Sequence, residues 1–282
     1  MAPDMRPWRS VLYIPGSNPR AIDKARGLDC DAIIFDLEDA VAAAEKPAAR
    51  AVLKAELLAG GFGRRARLAR INGHDTEWAA ADLAALAGLA IDGVLLPKVG
   101  APADIARARA ALPGVPVWAM MESPQGVLNA AAIAGAEGIA GFVLGTNDLA
   151  KDLGCRTRPD RLPLMLALQT CLMAARGAGL ICVDGVYNAF KDDAGLQAEC
   201  DQGRDLGFDG KTLIHPAQIA IANAAFAPTA AEIDLARRQI AAWQAAAAEG
   251  KGVAVVDGRI VENLHIVTAR ALLAKADAIA ER

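Results

Sequence analysis

Two acidic residues each follow an apolar segment, and this placement indicates metal chemistry. Glu122 ends the segment VPVWAMME, and Asp148 closely follows the segment IAGFVLG. Both segments are short and apolar, as buried strands are. A carboxylate buried there without a partner costs several kcal/mol or more, and a bound cation would remove that cost. Because Mg2+ is usually held by one or two carboxylates with water and substrate oxygens, the pair predicts a Mg2+ site, which Mn2+ could also occupy.

Each acid taken alone also fits a plainer interpretation. The dipeptide Ser123-Pro124 is typical of a helix start with Glu122 beside it, and Asn147 or Asp148 could cap a helix. Either acid alone fits this capping interpretation better. Two acids at the ends of consecutive strands fit a metal site better.

A third acidic cluster follows the apolar run DAIIF. The sequence FDLEDAV places Asp36, Glu38 and Asp39 within four residues. Such carboxylates could orient the waters bound to a metal, so Glu38 and Asp39 are candidate catalytic residues. The alternative is a solvated loop that caps the following helix.

Arg70 is the candidate for holding negative charge on a substrate. It ends the segment ARLAR and precedes Asn72 and Gly73. A guanidinium can bind a carboxylate with two hydrogen bonds or stabilise a developing oxyanion. A salt bridge to one of the acids named above is the alternative, and it is compatible with that role. Arg67 is a weaker candidate because strand alternation can point it away from the interior.

Two further positions could contact a substrate. Arg20 and Lys24 lie one helical turn apart in PGSNPRAIDKA, near a helix start, where positive charge opposes the helix dipole. They therefore predict an anionic ligand such as the phosphate-bearing tail of a cofactor, with ordinary surface residues as the alternative. His215 ends TLIH and could line the substrate site, although a lone histidine there is more often structural.

Composition and motifs exclude several classes of function. The chain has 282 residues, 54% hydrophobic and 22% charged, with a formal net charge of −3 and no basic cluster for nucleic acid. The start MAPDMRPWRS does not resemble a secretory signal, and no uninterrupted apolar segment is long enough to span a bilayer. GxSxG and CxxC spacings are absent. We expect a cytoplasmic enzyme with reduced cysteines, a small-molecule substrate, and neither a nucleic-acid nor a membrane partner.

Strand-like and helix-like segments alternate along most of the chain. Eight apolar runs begin between Arg9 and Asp209, spaced by about 29 residues, close to the unit length of a (β/α)8 barrel. The pattern therefore predicts an α/β fold of the TIM-barrel type. A doubly wound sheet is the rival, but YIPGSNPR after the first strand is not a GxGxxG loop.

The end of the chain has a different pattern. A helix is predicted over 229–251, then a hairpin over 252–264 with Asp257-Gly258 as its turn, then a last helix. We therefore predict two domains, a catalytic TIM barrel over 1–228 and a helix-hairpin-helix extension over 229–282.

Seven motifs in order resemble one known family. RSVLYIPGSNPR, FDLEDAV, ARINGHDTEW, GVLLPKV, MMESPQGV, LGTNDLAKDLG and DGKTLIHPAQI are similar to those of the citrate lyase β-subunit-like family of CoA-ester lyases. That family includes malyl-CoA, β-methylmalyl-CoA and citramalyl-CoA lyases and a malyl-CoA thioesterase. The resemblance implies a Mg2+-binding TIM barrel that acts on a CoA thioester.

The resemblance also implies roles for single residues. Glu122 and Asp148 match the metal ligands, with Asn147 beside them as a substrate-binding residue. Arg70 matches the arginine that binds the carbonyl and carboxylate of the keto-acid fragment.

Contacts to the CoA part of the substrate are implied as well. Arg20 and Lys24 fall in the segment that contacts CoA, and Ile214 and His215 fall in a loop near the thioester arm. CoA therefore enters as part of the substrate.

The predicted hairpin departs from the family pattern. Relatives with a catalytic lid carry an aspartate there that reaches a neighbouring subunit's site, within a trimer or hexamer. This chain reads GRIVENLH, with Glu262 in place of the aspartate and Leu264 in place of the following proline. Glutamate can still transfer a proton, but a misplacement of about 1 Å can lower a rate about 100-fold.

The main functional hypothesis is a Mg2+-dependent lyase. It would cleave or form a carbon–carbon bond in a 3-hydroxy-dicarboxylyl-CoA such as (S)-malyl-CoA, giving acetyl-CoA and glyoxylate, with Arg70 and the metal offsetting the enolate charge and Glu262 protonating it. The second hypothesis is a thioesterase that gives malate and CoA, for which the altered lid is the support. A citrate lyase β subunit acting with an acyl-carrier partner and an aldolase of free 2-keto acids also fit the residues.

Overall fold

The eight predicted strands form one closed parallel barrel in the computed structural model, which describes residues 6–281. Each strand pairs with the next along the chain, and β8 pairs with β1. The (β/α)8 fold class is thus confirmed. The strands are β1 (Ser10–Pro15), β2 (Ala32–Asp36), β3 (Ala66–Arg70), β4 (Gly93–Leu96), β5 (Val117–Met121), β6 (Ile139–Leu144), β7 (Ile181–Asp184) and β8 (Gly210–Leu213).

Helices connect the strands on the outside of this barrel. Several begin with proline in the first turn, where its missing N–H is not needed. The barrel helices are α1 (Pro19–Ala25), α2 (Lys46–Ala59), α3 (Ala79–Leu86), α4 (Pro102–Ala111), α5 (Pro124–Leu128), α6 (Ala130–Ala134), α7 (Thr146–Leu153), α8 (Met165–Gly177), α9 (Asp193–Leu206) and α10 (Ile219–Phe226). Strand β2 is buried at all five positions, which explains its continuous apolar sequence.

Two tryptophans and a set of mainly aliphatic side chains fill the interior of the barrel. Trp118 packs against Trp8 with their ring centroids 4.5 Å apart. Glycines on both neighbouring strands make room for Trp118: a Cβ at Gly141 would lie 2.4 Å from Cζ3, and one at Gly93 would lie 2.7 Å from Cδ1. This interior is a packed core, so any ligand site must lie at an end of the barrel.

Residues 227–281, with Arg6 and Pro7, form a second compact unit, distinct from the unit Trp8–Phe226. It contains α11 (Ala230–Ala248), the antiparallel pair β9 (Ala254–Val256) and β10 (Arg259–Val261), and α12 (Asn263–Ala280). Asp257 and Gly258 have φ of 51° and 73°, the left-handed backbone that a two-residue hairpin turn requires. The predicted hairpin and its turn are therefore present.

One helical stretch, Pro216–Ala248, meets the length and composition expected of a membrane span, with a mean hydropathy of 1.2. The chain is not helical at 227–229, so this stretch is two separate helices, α10 and α11. Alanine-rich helices that pack on a protein meet the same criterion of length and composition. This stretch is therefore only weak evidence for a membrane span.

Candidate active site

A cavity of about 380 Å³ lies at the carboxyl ends of the barrel strands, where βα loops carry catalytic residues in barrels of this kind. It brings together most of the acidic and basic side chains that the sequence singled out. The predicted residues that line it are Asp39, Arg70, Glu122, Asn147, Asp148 and Ile214.

Glu122 is buried directly after β5, with 2% of its surface exposed. Its Oε1 accepts a hydrogen bond of 2.7 Å from the backbone N–H of Lys98. Burial raises the pKa of Glu122 to about 7; the Lys98 N–H opposes this shift, and the charge of Asp148 adds to it. The charges of Arg70 and Lys98 also oppose the shift but do not outweigh burial, and among the described residues Glu122 has no ion pair.

Asp148 lies in the first turn of α7 and is half-buried. Ser123 caps α5 through its own hydroxyl, so the helix start predicted at Ser123-Pro124 is present, with Glu122 beside it. The N-cap of α7 is Gly145, so the interpretation of Asn147 or Asp148 as the cap is wrong. Within residues 6–281, the Asp148 carboxylate has neither a hydrogen bond nor an ion pair.

The two carboxylates fit a hard divalent cation. Both line the same cavity, and they interact electrostatically. No cluster of three or more His, Cys, Asp and Glu side chains suited to a metal ion occurs among the described residues. A site with two carboxylates leaves the remaining positions to water and substrate oxygens, as Mg2+ prefers.

Arg70 is held in place by an acid. Its Nε and Nη2 donate to the two carboxylate oxygens of Asp36 at 2.7 and 2.6 Å, and its guanidinium lies 5.0 Å from the ring centre of Tyr13. Burial lowers the pKa of Arg70, but the hydrogen bonds and charge of Asp36 outweigh burial and raise it overall. The salt-bridge alternative is therefore present, and Nη1 still faces the acids Glu38 and Asp39.

Glu38 and Asp39 contact the same guanidinium from the β2–α2 loop. Arg70 Nη1 lies 2.9 Å from Glu38 Oε2 and 3.5 Å from Asp39 Oδ2. Burial raises the pKa of Glu38 to about 8, although Arg70 opposes the shift. Glu38 is thus an acid whose proton is exchangeable near neutral pH, while Asp39 is mainly exposed.

Sequence reasoning missed several residues of this site. Asp36 was one acid among three, but it anchors Arg70 and also accepts the N–H groups of Glu38 and Ala40. Tyr13 and Thr212 line the cavity from β1 and β8. Strand alternation predicts which side chains point into the barrel, and it could have identified both residues. It does not distinguish a residue that lines a site from one that packs in the core.

Two of the predicted CoA-contacting residues do not line the cavity. Arg20 and Lys24 are both exposed on α1, and neither lines the cavity. Arg20 is in the first turn, as predicted, but Lys24 is in the last turn, where a positive charge is favourable. The helix-dipole reason for assigning Lys24 to an anion is therefore wrong.

Three more of the predicted residues are not among those lining the cavity: Glu38, which contacts Arg70 from the β2–α2 loop, and His215 and Glu262. His215 stacks on Phe190 with ring centres 4.8 Å apart, and its Nδ1 accepts from the backbone N–H of Ala217. Glu262 belongs to the second unit, where it is exposed and precedes α12. The barrel itself brings neither His215 nor Glu262 to the acids.

Comparison with known proteins adds a family to this geometry. Residues 9–216 match the HpcH/HpaI aldolase/citrate lyase family. A protein of Cereibacter sphaeroides (strain ATCC 17029 / ATH 2.4.9), named (3S)-malyl-CoA thioesterase, is 62% identical over 99% of this chain and 98% of its own length. The citrate lyase subunit beta of Escherichia coli (strain K12) is 36% identical over 96% of this chain and 94% of its own length.

A solved structure is similar over almost the whole chain. CitE from Mycobacterium tuberculosis, in complex with magnesium, acetoacetate and coenzyme A, has a TM-score of 0.83 at 32% identity. The similarity covers 97% of this chain and 100% of that one. The family resemblance seen in the motifs is confirmed, and the chain belongs to the HpcH/HpaI aldolase/citrate lyase family.

Proposed function

We propose that this protein is a Mg2+-dependent thioesterase that hydrolyses (3S)-malyl-CoA to malate and CoA. The observation that carries the proposal is the 62% identity to (3S)-malyl-CoA thioesterase over 99% of the chain, together with the acid-lined cavity. The similarity favours hydrolysis over the lyase reaction, which was the main hypothesis from the sequence. The more distant citrate lyase subunit beta, at 36% identity, supports the family's CoA-ester chemistry more than a particular reaction.

Glu122 and Asp148 would hold the metal. A magnesium-bound relative supports this assignment, as does the fact that neither carboxylate forms an ion pair within residues 6–281. Bound Mg2+ would supply Lewis-acid polarisation and a template for the hydroxy-acid part of the substrate. A thermal shift caused by CoA alone would separate this proposal from an aldolase of free 2-keto acids.

The protein's own side chains would perform the remaining steps. Arg70, fixed by Asp36, is placed to offset the negative charge that forms on the thioester oxygen when water attacks the carbonyl carbon. Glu38, which contacts Arg70 Nη1 at 2.9 Å and whose pKa is about 8, would accept a proton from that water. The carbon–sulfur bond then breaks, and CoA leaves as a thiolate that takes up a proton.

Regions outside the cavity would bind the rest of the substrate. Arg20 and Lys24 are exposed cations suited to CoA phosphates. Ile214 lines the cavity directly after β8, and His215 follows it in the chain. Glu262 would act from a neighbouring subunit of a homo-oligomer, a trimer or hexamer, as an acid or base. A cytoplasmic location fits this small-molecule chemistry.

Product analysis tests the proposal. Purified protein is incubated with (3S)-malyl-CoA and Mg2+, and malate, free thiol, glyoxylate and acetyl-CoA are measured separately. We expect equal amounts of malate and free CoA, without glyoxylate. Acetyl-CoA and glyoxylate as products would show the lyase instead. Turnover by the purified protein alone, without an acyl-carrier protein, would also argue against a citrate lyase subunit that depends on such a partner.

A further inference from the structure

A second cavity adjoins the acid-lined one. It measures about 370 Å³ and lies between the segment 156–164, which follows α7, and the loop after β7. The two cavities share Thr146, Asn147, Val186 and Asn188. The side-chain amides of Asn147 and Asn188 bond to each other in both directions, at 2.8 and 3.3 Å, so this pair lies at the boundary between the cavities.

Arg161 lines the second cavity and has an unused donor. Its Nη1 lies 2.8 Å from both carboxylate oxygens of Asp184, and its Nε donates to Gln202. Its Nη2 is buried and has no hydrogen-bond partner in the part of the chain that the structure describes. Buried donors are almost always paired in native proteins, so this one indicates a missing acceptor.

The backbone and the surrounding charges hold Arg161 in this position. Its φ is 50°, a left-handed conformation that costs energy in a residue other than glycine and persists only where its surroundings enforce it. Lys211, fully buried, contacts Asp184 at 3.2 Å and Glu199 at 2.6 Å. The network contains two cations and two anions, Arg161, Lys211, Asp184 and Glu199, so its formal charges cancel. It therefore has no excess negative charge that would satisfy the Nη2 group.

The outer part of the second cavity is basic. Arg156 and Arg158 line it and are exposed. Arg158 is paired with Asp160 at 2.6 Å, whereas Arg156 has no ion pair among residues 6–281. The second cavity therefore offers an anion a guanidinium without an ion pair in addition to the Nη2 group of Arg161.

We propose that this second cavity is a binding site for a small oxyanion, a carboxylate or a phosphate. Arg156 would make the first contact, and the Nη2 group of Arg161 would bind an anion oxygen. Because Nη2 is buried in this conformation, binding requires a small displacement of the segment around it. The site is separate from the acids that would bind Mg2+, and it does not depend on which reaction the enzyme catalyses.

Ala198 allows a test that leaves the buried charges intact. It lines the cavity from α9 and is exposed, so a longer side chain there does not disturb the core. Ala198→Glu would place a carboxylate beside the arginines and compete with the ligand, and Ala198→Gln is the matched neutral control. Binding of inorganic phosphate and of acetate is measured by titration calorimetry on the intact protein in EDTA.

We expect at least one of the two anions to bind the wild-type protein. Ala198→Gln should keep that affinity within about twofold, and Ala198→Glu and Arg156→Ala should each weaken it by about tenfold or more. The anion that binds identifies the ligand chemistry. The proposal is overturned if neither anion binds, if Ala198→Glu and Ala198→Gln bind equally, or if Arg20→Ala removes the binding instead.

Discussion

At the scale of single residues, carboxylates in one cavity have opposite environments. Asp36 is neutralised by two hydrogen bonds from Arg70, whereas Glu122 receives only one backbone N–H and faces Asp148. The first arrangement holds the Arg70 guanidinium in place. The second leaves a buried carboxylate whose charge a bound cation would neutralise. Both follow from which strand end each residue occupies.

Arg70→Lys should lower kcat by about 100-fold. Lysine cannot reproduce the two parallel bonds to Asp36, so the positive charge would no longer be fixed beside the reacting carbonyl. The matched control is Arg67→Lys in the same strand, where Arg67 pairs with Asp92 instead of a cavity acid. Steady-state kinetics of both variants checks this, and equal loss in both would contradict the assigned role.

Glu122→Gln should stabilise the metal-free protein at pH 8 but not at pH 4. The pKa of Glu122 in the folded protein is about 7, above its ordinary value of 4.5, so the cost of its charge is absent below pH 4.5 and complete above pH 7. Between these two pH values, the effect of Glu122→Gln on the free energy of unfolding should change by roughly 3 kcal/mol, or several degrees in Tm. Thermal unfolding in EDTA measures it.

Exposed Glu77 provides the control for this measurement, because Glu77→Gln removes a carboxylate that is not buried. With saturating Mg2+, Glu122→Gln should have a lower Tm than the wild type instead of a higher one, because only the wild-type site would then gain stability from the ion. An unchanged Tm difference with and without Mg2+ would contradict the metal assignment.

At the scale of elements, strand ends and the turns after them position the site. Glu122 ends up next to Asp148 because β5 and β6 are neighbours whose carboxyl ends point to the same face. The turn between β6 and α7 must stay clear of Glu122. A Cβ on Gly145 would lie 2.3 Å from Glu122 Cβ and 2.4 Å from its Oε2.

Gly145→Ala should therefore weaken metal binding by about tenfold or more while the barrel still folds. The added methyl group must displace the Glu122 side chain, which is the nearest group to it. Gly177→Ala is the control, because a Cβ there meets nothing within 4 Å. Metal affinity and circular dichroism together separate this local effect from misfolding, and undiminished affinity in Gly145→Ala would refute it.

The barrel could be predicted from sequence because its signals are local. Eight apolar runs and the Asp257-Gly258 turn specify strands and a hairpin by themselves. The exact pairings between side chains distant in the chain could not be predicted, although a salt bridge from Arg70 to one of the named acids was an alternative. The Asp36–Arg70 pair and the buried Lys211–Asp184 pair depend on strand register, which a single sequence leaves open. Lys24 was expected near the start of α1 but lies in its last turn, because this helix has only 7 residues.

At the scale of the whole molecule, the unit from Ala227 onward carries Glu262, which the proposed function assigns to a neighbouring subunit. We predict that Glu262→Gln lowers kcat by about 100-fold. A mixture of Glu262→Gln and Glu122→Gln, co-expressed in one cell, should recover about a quarter of wild-type activity, since random assembly pairs an intact cavity with an intact lid at that frequency.

A second mixture, Glu262→Gln co-expressed with Asp148→Asn, should also recover about a quarter of wild-type activity, for the same reason. A mixture of Glu122→Gln and Asp148→Asn should recover nothing, because both changes affect the same cavity. Absence of recovery in the lid mixtures would show that Glu262 serves no neighbouring site.

The account depends most on a divalent ion shared by Glu122 and Asp148, and direct titration tests it. Mn2+, which is paramagnetic, is titrated into the wild-type protein and into Glu122→Gln and Asp148→Asn, and free ion is followed by electron paramagnetic resonance. We predict one bound ion per chain in the wild type, displaced by Mg2+, and affinity lower by at least about tenfold in each variant. Equal binding in the wild type and both variants would contradict the account.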